Sequence, residues 1–444
     1  MKLLNKNTFD QILYGKNIYS ILFGIDQLSK SKGNVIIDDK RFNYGDHLTG
    51  EIDYIEKCYM NKWCHENRNI INIDNYIESI EENLILNNTL IKFCNNAYEN
   101  LIEIQRKLFP FDDLIVSSYT EKKFNEEILE FSKSFADYFY HINNFNNLKF
   151  DLVLKKMSKN LQSLYQDFCS TDKSDILISL GNIKKFSRLS LSVSSFEKLY
   201  IFIDLFIPKY RLKRKAFEQD LIKIYKDKHG DIISTKINHW EHNENKWTVG
   251  IERFEGVLFT KQLFFLGNNI ETLNIDLKKK KGTFRHLTLR LKKLPHDYYD
   301  FERSTYYISD DKLLGTDLPY LKVVFLEEMV QVSTLIPNLN CDKMSFIETR
   351  YSNRIFSLLN NIFQDFEFLY SDFYWEQGFD LAIDESFNYK RNNNDLSLKK
   401  YELMNYNNSS EKTMNNSIYF GQKRQLPLGK LGLFWELRNV SRFT

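Results

Sequence analysis

No run of about 18 apolar residues, the length a helix needs to cross a bilayer, occurs in this chain. Its first residues, MKLLNKNTFDQILYG, lack the apolar segment of a signal peptide, so a soluble cytoplasmic protein is expected. Cysteine is sparse. Cys58, Cys64, Cys94, Cys169 and Cys341 are odd in number and widely scattered, which argues against a disulfide framework and for a reducing compartment. No charge of one sign dominates: 61 basic residues face 59 acidic ones, for a formal net charge of +2. That balance gives no support to nucleic acid as the main partner. Proline is thin as well, with only Pro110 between Ile70 and Leu205. Apolar and aromatic side chains are plentiful, at 43% and 15%, so most of the 444 residues can bury cores rather than stay disordered. A chain of this length is expected to split into two domains with a helical insertion.

The sharpest organisation is at the start. Phe9–Tyr14 reads as a buried strand, Gly15–Asn17 as its exit turn, and Ile18–Ser31 as a helix with Ile18, Ile21, Leu22, Ile25 and Leu28 on one face. Gly33-Asn34 ends that helix, and Val35–Ile37 is a second strand closing on Asp38-Asp39. This order predicts a βαβ unit with Leu13 and Ile36 on adjacent parallel strands. Helical periodicity continues through Asp74–Asn87, Leu90–Leu108, Glu126–Asn143 and Ser195–Leu205, which should pack as an insertion against the sheet domain. Lys215–Lys228 is a further amphipathic helix. Strands are expected at Ile232–Ile237, Trp247–Arg253, Gly256–Thr260 and Gln262–Leu266, then at Thr283–Leu291, Thr305–Ile308 and Leu321–Leu335 in an antiparallel sheet. Phe356–Tyr370 reads as a helix and Asn392–Asn416 as a surface loop.

The turn after the first strand is where a dinucleotide site would lie. Free N–H groups and the positive end of the helix dipole favour a pyrophosphate there. The fingerprint is G-x-G-x-x-G with an acidic residue about twenty positions later for the ribose. Gly15-Lys16-Asn17-Ile18-Tyr19-Ser20 matches it by position, and Asp38 is the acid. Asn17 stands where the backbone must approach the phosphates, although Asn tolerates the left-handed region. Ser20 is small enough for close helix–strand packing, and Tyr19 is bulky beside the phosphate position. In the alternative reading Gly15 is a tight-turn glycine and Asp38 a solvated strand end.

Other constellations carry less. Cys58, Cys64 and His65 fit no zinc spacing, so no metal site is expected. His239 and His242 flank Trp240 in what reads as an exposed turn, and no G-x-S-x-G elbow is present. The basic runs Lys209–Lys215 and Lys278–Lys281 read as solvated faces or, alternatively, as anion or lipid-headgroup sites. Trp375, Glu376 and Gln377 suit either a substrate cavity or core packing.

Phe9–Gly50 resembles the start of the flavin amine oxidase and phytoene desaturase superfamily. Asp38 matches that family's ribose-binding acid, Arg41 its basic residue, and Gly45-Asp46 stands in place of a Gly-Gly pair. Ala216–Leu266 is similar to the segment that returns the chain to the Rossmann sheet, with Ile237 at the adenine-contacting position. Leu426–Phe434 resembles the late strand that precedes a Gly-Asp pair holding the flavin; here Leu437-Arg438 replaces the pair, and the helix beyond it is expected to be missing. The resemblance implies an α/β fold: a Rossmann-type FAD- or NAD(P)-binding domain (1–70, 208–275 and 417–444), a helical insertion (71–207), and a second domain with a mixed or antiparallel sheet (276–416). It implies FAD bound by Gly15, Asn17, Ser20, Asp38, Arg41 and Ile237, and hydride transfer from a small apolar or amine substrate, with no catalytic base identifiable. The helix start Ile18–Gly24 also resembles Rab GDP dissociation inhibitors, which implies the other class: a cofactor-free protein on the same fold that binds a protein or lipid partner.

Overall fold

The computed structural model describes residues 7–38, 51–66, 71–86, 89–110, 119–142, 149–185, 195–243, 246–252, 256–265, 282–292, 303–309, 320–326, 329–337, 344–363, 366, 370–381, 417–419, 431, 434 and 438. In chain order the first elements are β1 (Thr8–Tyr14), α1 (Ile18–Ser29), β2 (Asn34–Asp38), β3 (Glu51–Asp53), α2 (Tyr54–Glu66), β4 (Ile77–Leu86) and β5 (Thr89–Phe93). Six helices and one strand follow: α3 (Ala97–Leu108), α4 (Glu121–His141), α5 (Phe150–Leu154), α6 (Lys159–Phe168), α7 (Thr171–Lys185), α8 (Ser195–Asp204) and β6 (Lys209–Leu212). Next come α9 (Arg214–Asp227), β7 (Asp231–Ser234), β8 (Ile237–Asn243), β9 (Lys246–Ile251) and β10 (Gly256–Phe265). The last are β11 (Gly282–Leu291), β12 (Ser304–Ser309), β13 (Tyr320–Leu326), β14 (Met329–Pro337), α10 (Met344–Ile362), β15 (Tyr370–Leu381) and β16 (Ser417–Tyr419).

The first sheet runs β7-β2-β1-β10-β9-β8, with β16 also on β10. Strands β7, β2, β1, β10 and β16 are parallel, and Leu13 pairs with Ile36 as the βαβ spacing predicts. Such a strand is buried on both faces and so reads as an unbroken apolar run. On one face Ile12, Tyr14, Val35, Ile37 and Ile233 share a core with Trp247, Val249 and Ile251 from the β8–β9 hairpin. On the other, Leu13, Ile36 and Phe264 meet α1 and α9. That second core continues without a break through α2, α3, α4 and the α6–α8 helices to Leu84 and Tyr307 on the second sheet.

The second sheet is mixed, in the order β15-β11-β14-β13-β12-β4-β6-β3, with β5 also on β4. Only the β4–β12 pairing is parallel. Its far face packs on α10 through Leu287, Val323, Val332, Ile355 and Leu359. This is the α/β architecture expected: a Rossmann-type sheet, a helical layer and a second, largely antiparallel sheet.

Several local readings need correction. Asp74–Asn87 is not a helix but chiefly strand β4, and the helix expected from Leu90 begins only at Ala97, after strand β5. Both strands belong to the second sheet, so the insertion is not wholly helical. His239 and His242 lie in strand β8 rather than in a turn. Helix α10 starts before Phe356 and ends at Ile362, and Tyr370 begins a strand. Gly256–Phe265 is one strand, not two. At the C-terminus Leu431, Phe434 and Arg438 are helical, where a final strand was expected. The strand that joins β10 lies earlier, at Ser417–Tyr419.

Candidate functional site

The carboxyl ends of β1 and β2 meet side by side. Tyr14 pairs with Ile37, so Gly15 and Asp38 each stand one residue beyond a paired position. Gly15 has a φ of 102°, a region that costs a residue with a Cβ, and its N–H donates to the Ile37 carbonyl at 3.0 Å. Asp38 lies opposite Ser234 on β7, and its carbonyl accepts the Thr235 N–H at 3.2 Å. Ile237, two residues further, is buried in the core beneath the β8–β9 hairpin. The register thus brings Gly15 and Asp38 to the carboxyl end of the sheet, with Asn17 and Ser20 following at the start of α1 and Ile237 close in sequence to β7. Arg41 lies outside the described residues.

Asn17 and Ser20 make a capping box. The Asn17 side-chain oxygen accepts the Ser20 N–H at 2.8 Å, the Ser20 hydroxyl accepts the Asn17 N–H at 2.9 Å, and that hydroxyl donates to the Asn17 carbonyl at 2.8 Å. Two of the donors a pyrophosphate would use at this helix start are therefore taken by the chain itself. Both residues are buried, Ser20 completely. Lys16, next to Asn17 in sequence, reaches Glu218 on α9 at 3.2 Å, and Glu218 also holds Arg214. Tyr19 packs its ring 5.3 Å from that of buried Phe434, and Phe434 lies 6.5 Å from Tyr59 on α2. As they stand, these residues do not fit a dinucleotide: the box must open before a phosphate can reach the first turn.

Close helix–sheet packing also depends on Gly24. A Cβ at position 24 would lie 2.8 Å from the Tyr225 ring, 3.2 Å from the Asn34 side-chain oxygen and 3.2 Å from Leu13. Tyr225 in turn donates its hydroxyl to Asn34 at 2.6 Å, tying α9 to β2 beneath α1. The sequence held a signal for this, because glycine inside a helix costs about 1 kcal/mol against alanine and needs a reason. The C-terminal face was legible only in part. Arg438 is buried over the Tyr140 ring at 3.3 Å, donates to the Tyr140 carbonyl, and reaches Glu66 at 3.3 Å, where the Tyr140 hydroxyl also donates.

A second buried polar cluster joins the helical layer to the second sheet. Lys184 on α7 lies between Glu82 at 2.6 Å and Asp204 at 3.4 Å, and Asp204 also pairs with Lys209. The Tyr307 hydroxyl donates to Glu82, and Tyr200 donates to Asp53 at 2.7 Å. Glu51 is enclosed by Lys322, Arg211 and Thr305. Burial opposes its charged form, but the facing cations outweigh burial and hold the carboxyl at about 2. Apart from Asp53, which accepts hydrogen bonds from the Tyr200 hydroxyl and the Glu56 N–H, each of these charges has an opposite partner, which is what stable burial requires.

The basic run Lys209–Lys215 resolves in part the same way. Lys209 pairs with Asp204, Arg211 with Glu51, Lys213 with Glu78 and Arg214 with Glu218, while Lys213 and Lys215 are exposed, so the run is partly tied down and partly a solvated face. Lys278–Lys281 lies outside the described residues. Cys58, Cys64 and His65 share helix α2, and no metal-holding group occurs among the described residues. The Trp375 ring N–H donates to Ser352 on α10 at 2.9 Å, which makes that tryptophan part of the packing. No helix among the described residues is long and apolar enough to cross a membrane.

No family model matches the sequence, and no curated protein does. Among solved structures, the chain is similar to a geranylgeranyl bacteriochlorophyll reductase-like protein from Thermoplasma acidophilum, at 10% identity and a TM-score of 0.50, over 98% of this chain and 77% of that one. It is also similar to Rab GDI from Plasmodium falciparum, at 10% identity and a TM-score of 0.51, over 98% of both chains. Identities this low speak for a shared fold. That fold is one the bacteriochlorophyll reductase-like protein and Rab GDI hold in common.

Proposed function

We propose that this chain is a cofactor-independent binding protein on the flavoprotein-type fold, one that engages a protein or lipid partner as the Rab GDI resemblance suggests. The observation that carries this reading is the Asn17–Ser20 capping box, which consumes the Asn17 and Ser20 backbone donors that a pyrophosphate would need. Each charge-assisted hydrogen bond lost to such competition weakens binding by about 1.5–3 kcal/mol. Two of them lower the affinity by roughly two to four orders of magnitude.

A second reading has support of its own. Gly15 keeps the positive φ of a phosphate-loop glycine, and Asp38 stands at the strand end where a ribose-binding acid belongs. On this reading FAD would be held by Gly15, Asn17, Ser20, Asp38, Arg41 and Ile237. It would accept a hydride from an amine or apolar substrate, as in amine oxidases and phytoene desaturases. Under both readings we keep the domain division outlined from the sequence as a proposal, with 51–53, 77–93 and 209–212 assigned to the second sheet.

Titrating the purified protein with FAD and following flavin fluorescence separates the two. We expect no saturable change with protein in the micromolar range, and weak saturable binding once Asn17→Gly removes the box. Saturable binding by the unaltered chain well below micromolar would sink the cofactor-independent reading.

A further inference from the structure

The surface around α5 carries a cluster of cations. Lys149, Lys155, Lys156 and Lys159 are all exposed, within a stretch whose single acidic residue is Asp151. Among the described residues none of the four lysines has an ion-pair partner; the Lys156 ammonium lies 5.6 Å over the Tyr138 ring, and the Lys149 N–H donates to the Tyr138 hydroxyl at 3.0 Å. The contrast is with Lys209–Lys215, where four cations each meet a carboxylate. Leu152 is 46% exposed in the middle of this patch. Lys149 precedes α5 and Lys155 and Lys156 follow it directly, each three or four residues from Leu152. A lone exposed leucine means little, but one ringed by unpaired lysines has the composition of an interfacial anchor.

The patch is also held in place from beneath. Val153, Met157 and Leu161 are buried in the helical core. The Gln162 amide donates to the carbonyls of Leu154 at 2.8 Å and Met157 at 3.1 Å, which fixes the link between α5 and α6. A partner therefore meets a preformed surface.

We infer that the α5–α6 face, with Leu152 at its centre and Lys149, Lys155, Lys156 and Lys159 around it, docks on an anionic lipid bilayer. Lysine stems lie along an apolar boundary while their ammonium groups meet the headgroup phosphates. Leucine enters the acyl edge, and the charge attraction falls away within a Debye length. Nucleic acid is disfavoured, because nothing among these exposed residues offers a flat aromatic ring for base stacking. The inference is independent of the flavin question: it holds whether or not the first helix accepts a cofactor.

The test uses the full chain and vesicle co-sedimentation. Vesicles of phosphatidylcholine with about a third phosphatidylserine should bind the protein, those of phosphatidylcholine alone should not, and added salt should release it. Lys155→Gln with Lys156→Gln should weaken partitioning by roughly thirty-fold, since each lysine near such a surface contributes about a factor of five. Leu152→Ser should weaken it several-fold while leaving the salt dependence in place. Lys223→Gln with Lys226→Gln, the same charge change on α9, should leave binding within about two-fold, since neither lysine lies on the proposed face. Equal binding to both vesicle types overturns the inference, as does unaltered binding by the Lys155/Lys156 variant. So does capture of an oligonucleotide, lost in that variant, without any capture of phosphatidylserine vesicles.

Discussion

Gly24 is the residue on which the approach of α1 to the first sheet depends. Its Cα faces the Tyr225 ring, and Tyr225 is itself fixed by its hydroxyl on Asn34. Neither partner can retreat freely, because Tyr225 is wholly buried and Asn34 also donates to the Gly24 carbonyl at 3.0 Å. Gly24→Ala gains about 1 kcal/mol of helix propensity, while overpacking a closed core costs about 1–3 kcal/mol. We expect a net loss of about 1 kcal/mol of stability, read as a lower urea midpoint with an unchanged slope. A gain in stability would mean that the ring swings aside and that α1 is not held at this distance by position 24.

At the scale of elements, charge decides what periodicity alone misreads. In β4 the residues Ile77, Ile80 and Leu84 fall at helical spacing, and the glutamates between them suit a solvated helix face. The strand instead turns Ile80, Glu82 and Leu84 inward together, and Glu82 is tolerated there because Lys184 arrives from α7. Nothing local in the sequence announces that distant partner. The parallel strands β1 and β2 were legible because two-sided burial writes an unbroken apolar run that needs no partner to be recognised. The site was legible to the same degree. Its backbone frame, Gly15 and Asp38, follows from the strand–turn–helix order, whereas the capping box, the Glu218 tie on Lys16 and the cover by Phe434 depend on side-chain geometry. Glu51 shows how such buried charge links elements, since it binds β3 to β13 through Lys322 and to β6 through Arg211. Its carboxyl titrates at about 2 in the folded chain against 4.5 as the reference value. A depressed folded value means stability that is present above the unfolded value and lost as pH falls through the folded one. Glu51→Gln should therefore destabilise the protein at neutral pH, and the gap between variant and parent should shrink below about pH 4.5 toward pH 2. Urea unfolding across that window checks the sign; a gap that widened on acidification would place the stabilising carboxylate elsewhere.

The whole molecule is organised around one continuous middle core. The α1 and α9 face of the first sheet, the helical layer from α2 to α8, and Leu84 and Tyr307 of the second sheet all bury side chains into it. The ties across it are polar as well as apolar: Tyr200 on α8 holds Asp53 at the start of α2, and the Lys184–Glu82 pair joins α7 to β4. A helical layer able to unfold alone would need a face of its own toward solvent, yet Phe23 of α1 and Phe135 and Phe139 of α4 are all fully buried in this one cluster. Separating the layer would expose that apolar area on both sides at about 25 cal/mol per Å², far more than a local opening tolerates. We expect α1 and α4 to unfold as one unit, with their amides losing hydrogen-exchange protection at the same urea concentration. Mass spectrometry of peptides covering Ile18–Ser29 and Glu121–His141 reads both in one experiment. Should α4 open well before α1, the helical layer would be an autonomous unit docked on the sheet, and the continuity of the core would not be what holds the two sheets together.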